Sequence, residues 1–273
     1  MSMLDFAINA TIEYIDHMPK SQRKKYGQFF TSKETAAFMA GLFEIPNECQ
    51  TLSILDPGAG SGVLSIALLE RLQIFTAIEE IRLVCYENDP NVIELLRSNL
   101  KIACSQSQKK ISFKIVSENY ILSQMADYNL MLGANLEPEK FDFVIGNPPY
   151  MKIAKDAPEA LAMPDVCYGA PNLYFLFASM SMFNLRDGGE MVYIIPRSWT
   201  SGAYFKRFRQ KFLSEGALEH IHLFVSRDKV FEKESVLQET IIVLNPQLQD
   251  LLRDKYFCTI ISKPSNRLSQ VKP

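Results

Sequence analysis

No apolar run in this 273-residue chain approaches the ~20 residues that a membrane span needs. The opening residues, Met1-Ser-Met-Leu-Asp-Phe, lack the basic and apolar regions of a secretory signal. Cysteine is sparse: Cys49, Cys85, Cys104, Cys167 and Cys258 form no Cys-x-x-Cys pair, and there are only three histidines. Such a set argues against a metal site and for a reducing cytoplasm. Charge of one sign is not in excess either. A formal net charge of −2 argues against a chain that coats nucleic acid along its whole surface, but leaves room for a local basic groove. No fixed-period repeat is visible, which excludes a solenoid. What remains is a globular composition, 47% hydrophobic and 22% charged, long enough for one large domain with or without appendages.

The most informative stretch is Phe141-Asp-Phe-Val-Ile-Gly-Asn-Pro-Pro-Tyr150. Its apolar start reads as a buried parallel strand, and the two prolines forbid continuation of the ladder. Proline sets φ and restrains the residue before it, so the chain leaves the sheet at Asn147 with little backbone freedom. The Asn147 side chain, the Pro148 carbonyl and the Tyr150 ring are thereby expected at the carboxyl edge of a sheet, where open α/β sheets bind ligands. Taken alone, the turn is equally a stiff strand ending.

Two other strand ends give it company. Ser53-Ile-Leu-Asp-Pro-Gly-Ala-Gly-Ser-Gly reads as strand, glycine-rich turn and helix, with Leu64, Leu68 and Leu72 on the helix face. Gly58 and Gly60 let backbone approach a ligand where a Cβ would collide. No Lys-Ser/Thr follows, so this is not a phosphate-binding P-loop. Asp56 stands where a pyrophosphate would approach, which suits a cationic or hydroxyl-rich ligand better. A second strand, Ile81 to Glu87, ends in an acid; Asp89 then caps a helix with Pro90 at its first position. An acid at that place commonly holds ribose hydroxyls; the bland alternative is a surface glutamate.

Around these lie the supporting elements. Leu4, Ile8, Ile12 and Ile15 predict an amphipathic helix over 3–16. The basic cluster Lys20–Lys25 is either a solvated loop, a phosphate contact or part of a cofactor cover. Thr31 and Glu34 form a capping box for a helix through Phe38, Leu42 and Phe43. A third strand, Ile111–Val116, leads to Glu118-Asn119-Tyr120, and Met151–Ala170 reads as an excursion over the site. Leu173–Leu185 is apolar nearly all round, which marks a buried helix. Asp187-Gly-Gly turns into a strand at Glu190–Ile195, closed by Pro196. Helix Tyr204–Leu213 buries Phe205, Phe208 and Phe212, and its cations read as a solvated face. Strands Leu218–Phe224 and Leu237–Leu244 flank a loop carrying Phe231.

In this order the motifs resemble those of the N6-adenine DNA methyltransferases of restriction–modification systems, most closely the gamma-ordered group. The likeness runs over residues 20–245, from Gly27-Gln-Phe-Phe-Thr through Leu55-Asp-Pro-Gly-Ala-Gly-Ser-Gly, Asn147-Pro-Pro-Tyr, Pro171-Asn-Leu-Tyr and Ile195-Pro-Arg-Ser to Glu239-Thr-Ile-Ile-Val-Leu. It implies the class I S-adenosylmethionine-dependent methyltransferase fold: α/β, Rossmann-like, a mostly parallel seven-stranded sheet with one antiparallel strand and helices on both faces. It divides the chain into an N-terminal helical segment (1–50) closing over the cofactor, a catalytic domain (51–245) and a short tail (246–273).

By the same resemblance, Phe29, Phe30 and Thr31 close over the methionine end of S-adenosylmethionine. Asp56, Gly58 and Gly60 line its centre, and Glu87 takes the ribose hydroxyls. Asn119 and Tyr120 stand where the family usually has Asp-Phe beside the cofactor adenine; an asparagine still accepts through its carbonyl oxygen. Asn147 Oδ1 and the Pro148 carbonyl accept both hydrogens of a target amine, while Tyr150 and Phe231 stack on a flipped-out adenine. Pro149, Lys152 and Arg197 complete the substrate side. No Pro-Cys nucleophile loop is present, because Val166 precedes Cys167, and this disfavours cytosine C5 chemistry.

Two alternatives stay open at this point: a protein glutamine N-methyltransferase sharing the Asn-Pro-Pro-Tyr chemistry, or a truncated inactive relative. Fewer than thirty residues follow Asn245, too few for a target-recognition domain. Selection of the DNA target is therefore expected from a missing domain or a separate specificity subunit.

Overall fold

The computed structural model describes residues 1–17, 19, 30–130, 137–223 and, as backbone, 239–245. The chain begins with helices α1 (Met3–His17) and α2 (Lys33–Gly41). Strand β1 (Thr51–Asp56), helix α3 (Val63–Leu72), strand β2 (Glu80–Tyr86), helix α4 (Pro90–Gln106) and strand β3 (Lys110–Val116) follow. Two single-turn helices, α5 (Tyr120–Ser123) and α6 (Met125–Tyr128), precede strand β4 (Phe141–Gly146). Then come α7 (Pro158–Ala162), α8 (Leu173–Asn184), β5 (Leu185–Pro196), α9 (Lys206–Glu215), β6 (Ala217–Leu223) and β7 (Glu239–Asn245).

The seven strands form one sheet in the order β3-β2-β1-β4-β5-β7-β6. The first five in this order run parallel, and β7 lies antiparallel between β5 and β6. This is the class I S-adenosylmethionine-dependent methyltransferase arrangement. The chain starts at the centre with β1, winds outward to β3, then returns to lay β4 on the other side of β1. That reversal opens a crevice at the carboxyl ends of β1 and β4.

Both faces of the sheet are covered, as near-continuous apolar parallel strands require. Residues alternate between faces with period two. Ile54, Phe143, Ile145, Val192 and Ile194 pack under α1–α4, whereas Leu55, Val144, Met191, Tyr193 and Ile195 pack under α5 and α7–α9. All six residues of β4 are buried. Its amino end is clipped to β1 by a carboxylate: Ser53 donates through both its amide (2.6 Å) and its hydroxyl (2.7 Å) to Asp142 Oδ2. Arg186 pairs with the other oxygen of Asp142, so this buried charge is compensated.

Four local expectations are corrected. The N-cap of α2 is Ser32, not Thr31; Ser32 Oγ accepts from the Thr35 amide at 3.3 Å. Asp187-Gly-Gly is not a turn before β5 but a bulge within it. Phe141 pairs with Leu185 while Phe143 pairs with Glu190, and a Cβ at Gly189 would stand 2.7 Å from the Asp142 carbonyl oxygen. Helix α9 starts at Lys206 because Ala203–Phe205 forms a 3₁₀ turn. Its arginines are not merely solvated. Arg207 donates to the Pro164 and Cys167 carbonyls, and Arg209 to those of Trp199, Ser201 and Gly202, tying down two loops.

Candidate active site

Three strand ends meet at the carboxyl edge because β1 lies between β2 and β4. The turn after β1 is made of backbone. Gly60 and Gly62 take φ of +54° and +85°, values that an L side chain rarely adopts. At Gly62 a Cβ would also meet Leu96 Cδ1 at 2.7 Å, so the third glycine lets α3 pack closely on α4. The turn is bonded to β2: the Ala59 amide donates to the Tyr86 carbonyl (2.9 Å) and the Gly60 amide to Glu87 Oε2 (2.9 Å). From the other side Thr11 of α1 donates to Ser61 Oγ at 2.8 Å.

The two acids differ in surroundings. Glu87 accepts the Gly60 amide on one oxygen and the Asp89 amide (2.8 Å) on the other, leaving lone pairs for hydroxyl donors. Burial raises its pKa, and those amides oppose the rise. Asp56 is 0% exposed and accepts from Ser65 Oγ at 2.7 Å. Burial pushes its pKa up to about 7, against hydrogen bonds that pull it down, with the Glu87 charge adding to the rise. Alternation along β1 puts the Asp56 side chain on the same face as that of Ile54.

Across from this turn stands Asn147-Pro-Pro-Tyr. A Cβ on Gly58 would lie 3.8 Å from the Phe177 ring, 3.9 Å from the Asn147 carbonyl oxygen and 3.9 Å from Pro148 Cα. The glycine thus leaves a gap between the two turns, a cradle that a side chain would fill. Asn147 is half-buried and Pro148 buried. Asn147 Nδ2 donates to Thr31 Oγ1 at 3.1 Å. The Tyr150 hydroxyl donates to the Ile194 carbonyl at 3.0 Å, and its ring meets Tyr174 edge-on at 6.2 Å.

The remaining predicted residues are placed as follows. Phe30 lies over the glycine turn, its ring 3.8 Å from where a Gly60 Cβ would be. Thr31 is buried. Asn119 caps α5 by accepting from the Leu122 amide (3.1 Å), and its Nδ2 donates to Glu159 (2.7 Å). Tyr120 is 2% exposed, wedged between Tyr86 and Phe177, and its hydroxyl donates to Asn184 at 2.8 Å. Pro149 is half-buried within the turn; Lys152 and Arg197 are exposed, Lys152 just past the Asn147-Pro-Pro-Tyr turn and Arg197 just past the end of β5. Phe29, Phe231 and the cluster Lys20–Lys25 lie outside the described residues.

Two residues were missed. Phe177 of α8 walls the cradle against Gly58, but a helix apolar all round singles out no position. Tyr14 of α1 meets Phe30 edge-on at 6.2 Å. Its pKa is raised by burial and by the Asp89 and Glu87 charges, which places it near the Glu87 end of the site. Only its place on an amphipathic helix was visible. Among the described residues no group of three or more His, Cys, Asp or Glu could hold a metal ion, and no helix is long and apolar enough to cross a membrane.

A glycine turn on β1, an acid closing β2 and an Asn-Pro-Pro-Tyr turn on β4 occupy one edge of this sheet, and the model of the Eco57I restriction-modification methylase family matches residues 69–231. The chain belongs to that family. It is 35% identical over 223 residues to the type II methyltransferase M.BsuBI of Bacillus subtilis, covering 81% of this chain and 43% of that protein. With M.PstI of Providencia stuartii it shares 35% over 240 residues, covering 86% and 45%. The chain thus spans a little under half the length of these curated relatives. Among solved structures, a class I S-adenosylmethionine-dependent methyltransferase family protein of Listeria monocytogenes superposes with a TM-score of 0.70 at 16% identity. The match covers 96% of this chain and 73% of that one, a likeness of fold.

Proposed function

We propose that this chain is the catalytic part of a cytoplasmic restriction–modification enzyme. It transfers a methyl from S-adenosylmethionine to the N6 amine of an adenine flipped out of DNA. The observation that carries this is the gap at Gly58, where the glycine turn and the Asn147-Pro148 backbone face each other within van der Waals reach of one missing Cβ. A donor lying on the glycines and an amine held by Asn147 would meet there.

S-adenosylmethionine supplies, when bound, a methyl on a cationic sulfur. The residues present fit it. Gly58 and Gly60 leave room for its centre, Glu87 retains acceptor capacity for ribose hydroxyls, and Phe30 covers the turn. Asn119 and Tyr120 border the adenine end. In this reading residues 1–50 form the cover and residues 51–245 the catalytic domain.

The exocyclic amine of adenine is a poor nucleophile because its lone pair is delocalised into the ring. Asn147 Oδ1 and the Pro148 carbonyl accept its two hydrogens, which favours a pyramidal nitrogen with the lone pair aimed at the methyl. Positioning for in-line attack supplies much of the remaining acceleration, so no carboxylate is needed at position 147. Tyr150 stacks on one face of the base and Phe231 on the other, while Lys152, Pro149 and Arg197 meet the flanking strand. Selection of the target sequence is assigned to the portion that the relatives have beyond the shared half, or to a separate specificity subunit.

Transfer of tritiated methyl to adenine-containing DNA, compared with release-factor protein, tests the proposal. Label in DNA is expected; label confined to protein would instead favour glutamine N-methylation.

A further inference from the structure

Asn147 can serve as an amine acceptor only if its amide is turned the right way. The carboxamide is nearly symmetric in shape, and its two ends have opposite hydrogen-bonding character. If Nδ2 faced the target amine, donor would meet donor. Some neighbour must therefore hold the amide in place. Proline restrains the Asn147 backbone, but it leaves the terminal amide torsion broad and roughly two-fold.

We infer that Thr31 is the positioning residue that sets the Asn147 amide, a role that rests on the reading of Asn147 given above. Thr31 Oγ1 accepts from Asn147 Nδ2 at 3.1 Å, across 116 positions of sequence. A hydroxyl can also donate, so Thr31 acts as an anchor for the amide plane, with the nitrogen on Thr31 and the oxygen on the opposite side. Thr31 is itself well held, 6% exposed and directly before the Ser32 cap of α2. Phe30, the preceding residue, sits on the glycine turn and is buttressed by Tyr14. Adjacent residues of one arm thus touch the cofactor cradle and the catalytic amide.

The competing role for Thr31 is a contact with the cofactor alone, and kinetics separate the two. Thr31→Val keeps the shape and removes the acceptor. At saturating cofactor and DNA its kcat is expected to fall about tenfold to a hundredfold, as misplacement of a catalytic group does. The dissociation constant for S-adenosylmethionine should stay within about threefold. Thr31→Ser, which retains the hydroxyl, should restore most of the rate. A cofactor affinity that falls in step with kcat/KM while saturated kcat is unchanged overturns the role, as does a serine variant no better than valine.

A second measurement is independent of DNA. In 15N-labelled protein the Asn147 side-chain amide pair is identified by its loss in Asn147→Ala. One of its hydrogens should exchange with solvent more slowly in wild type and Thr31→Ser than in Thr31→Val. Equal exchange in all three overturns the inference. If the wild-type chain neither binds S-adenosylmethionine nor labels DNA, the methyltransferase reading fails by itself, and the exchange data still decide whether Thr31 holds the amide.

Discussion

The two turns that face each other at the carboxyl edge do opposite things with their backbones. The glycine turn after β1 is shaped by residues free to take φ of +54° and +85°, and the carboxyl that precedes it, Asp56, is fully buried. The Asn147-Pro-Pro-Tyr turn after β4 is shaped by residues with almost no backbone freedom, and it holds a half-buried amide beside the gap. One turn makes room; the other holds a functional group still. Damage to the first should therefore appear as lost fold and lost ligand, and damage to the second as lost chemistry on an intact scaffold.

The sharpest way to separate them is Asn147→Ala. Methyl transfer should fall by about a thousandfold or more, on the scale of removing a preorganised hydrogen-bonding group, while cofactor affinity and Tm stay near wild type. Parallel loss of cofactor binding would break the comparison. Gly62→Val is the counterpart. Positive φ and the 2.7 Å approach to Leu96 both oppose a side chain, so unfolding stability should drop by about 2–4 kcal/mol in urea titration. A variant as stable as wild type would show that the turn tolerates a Cβ. Glu87→Gln removes the charge but keeps acceptor capacity on one oxygen. Cofactor affinity should weaken roughly tenfold, with saturated kcat little changed, as measured by calorimetry and steady-state rates.

The effect at Asp56 shows only as pH is varied. Its pKa is about 7 in the fold against an ordinary 3.8, so the folded state binds the proton more tightly than the unfolded chain. The carboxyl's contribution to stability is then full below about pH 4 and lost as pH rises toward about 7. Asp56→Asn escapes this loss. The Tm of the variant relative to wild type should be most favourable at pH 8 and decline on going to pH 5. A pH-independent difference would place the ionisation elsewhere.

Much of this edge was legible in the sequence, because turn chemistry is local. The glycines, the Asp89-Pro90 cap and the two prolines after Asn147 announce where strands stop, and apolar runs announce which strands are buried. What was not legible depends on contacts between distant positions. Phe177 reaches Gly58, Tyr14 reaches Phe30, and Arg207 reaches the carbonyls of Pro164 and Cys167, yet none sits in a pattern that differs from ordinary helix. The Asp187-Gly-Gly bulge was misread for a related reason. Two glycines after an aspartate signal a turn, and only pairing with Phe141 and Phe143 turns that signal into a strand irregularity. Asp56 was visible as an acid at a strand end, but which way its side chain points depends on the strand's register. Composition does not encode that.

The Asp142 clip at the start of β4 gives that strand the character of a measuring rod. Two donations from Ser53 and the pairing with Arg186 set its zero mark, and Gly146 is its last graduation. Because side chains alternate between the faces of a sheet, a shift of one residue would turn the amide at its tip to the wrong side, and a shift of two would misplace it by roughly 7 Å. A gain or loss of one residue within 142–147 would therefore silence the tip while leaving the core's composition nearly unchanged.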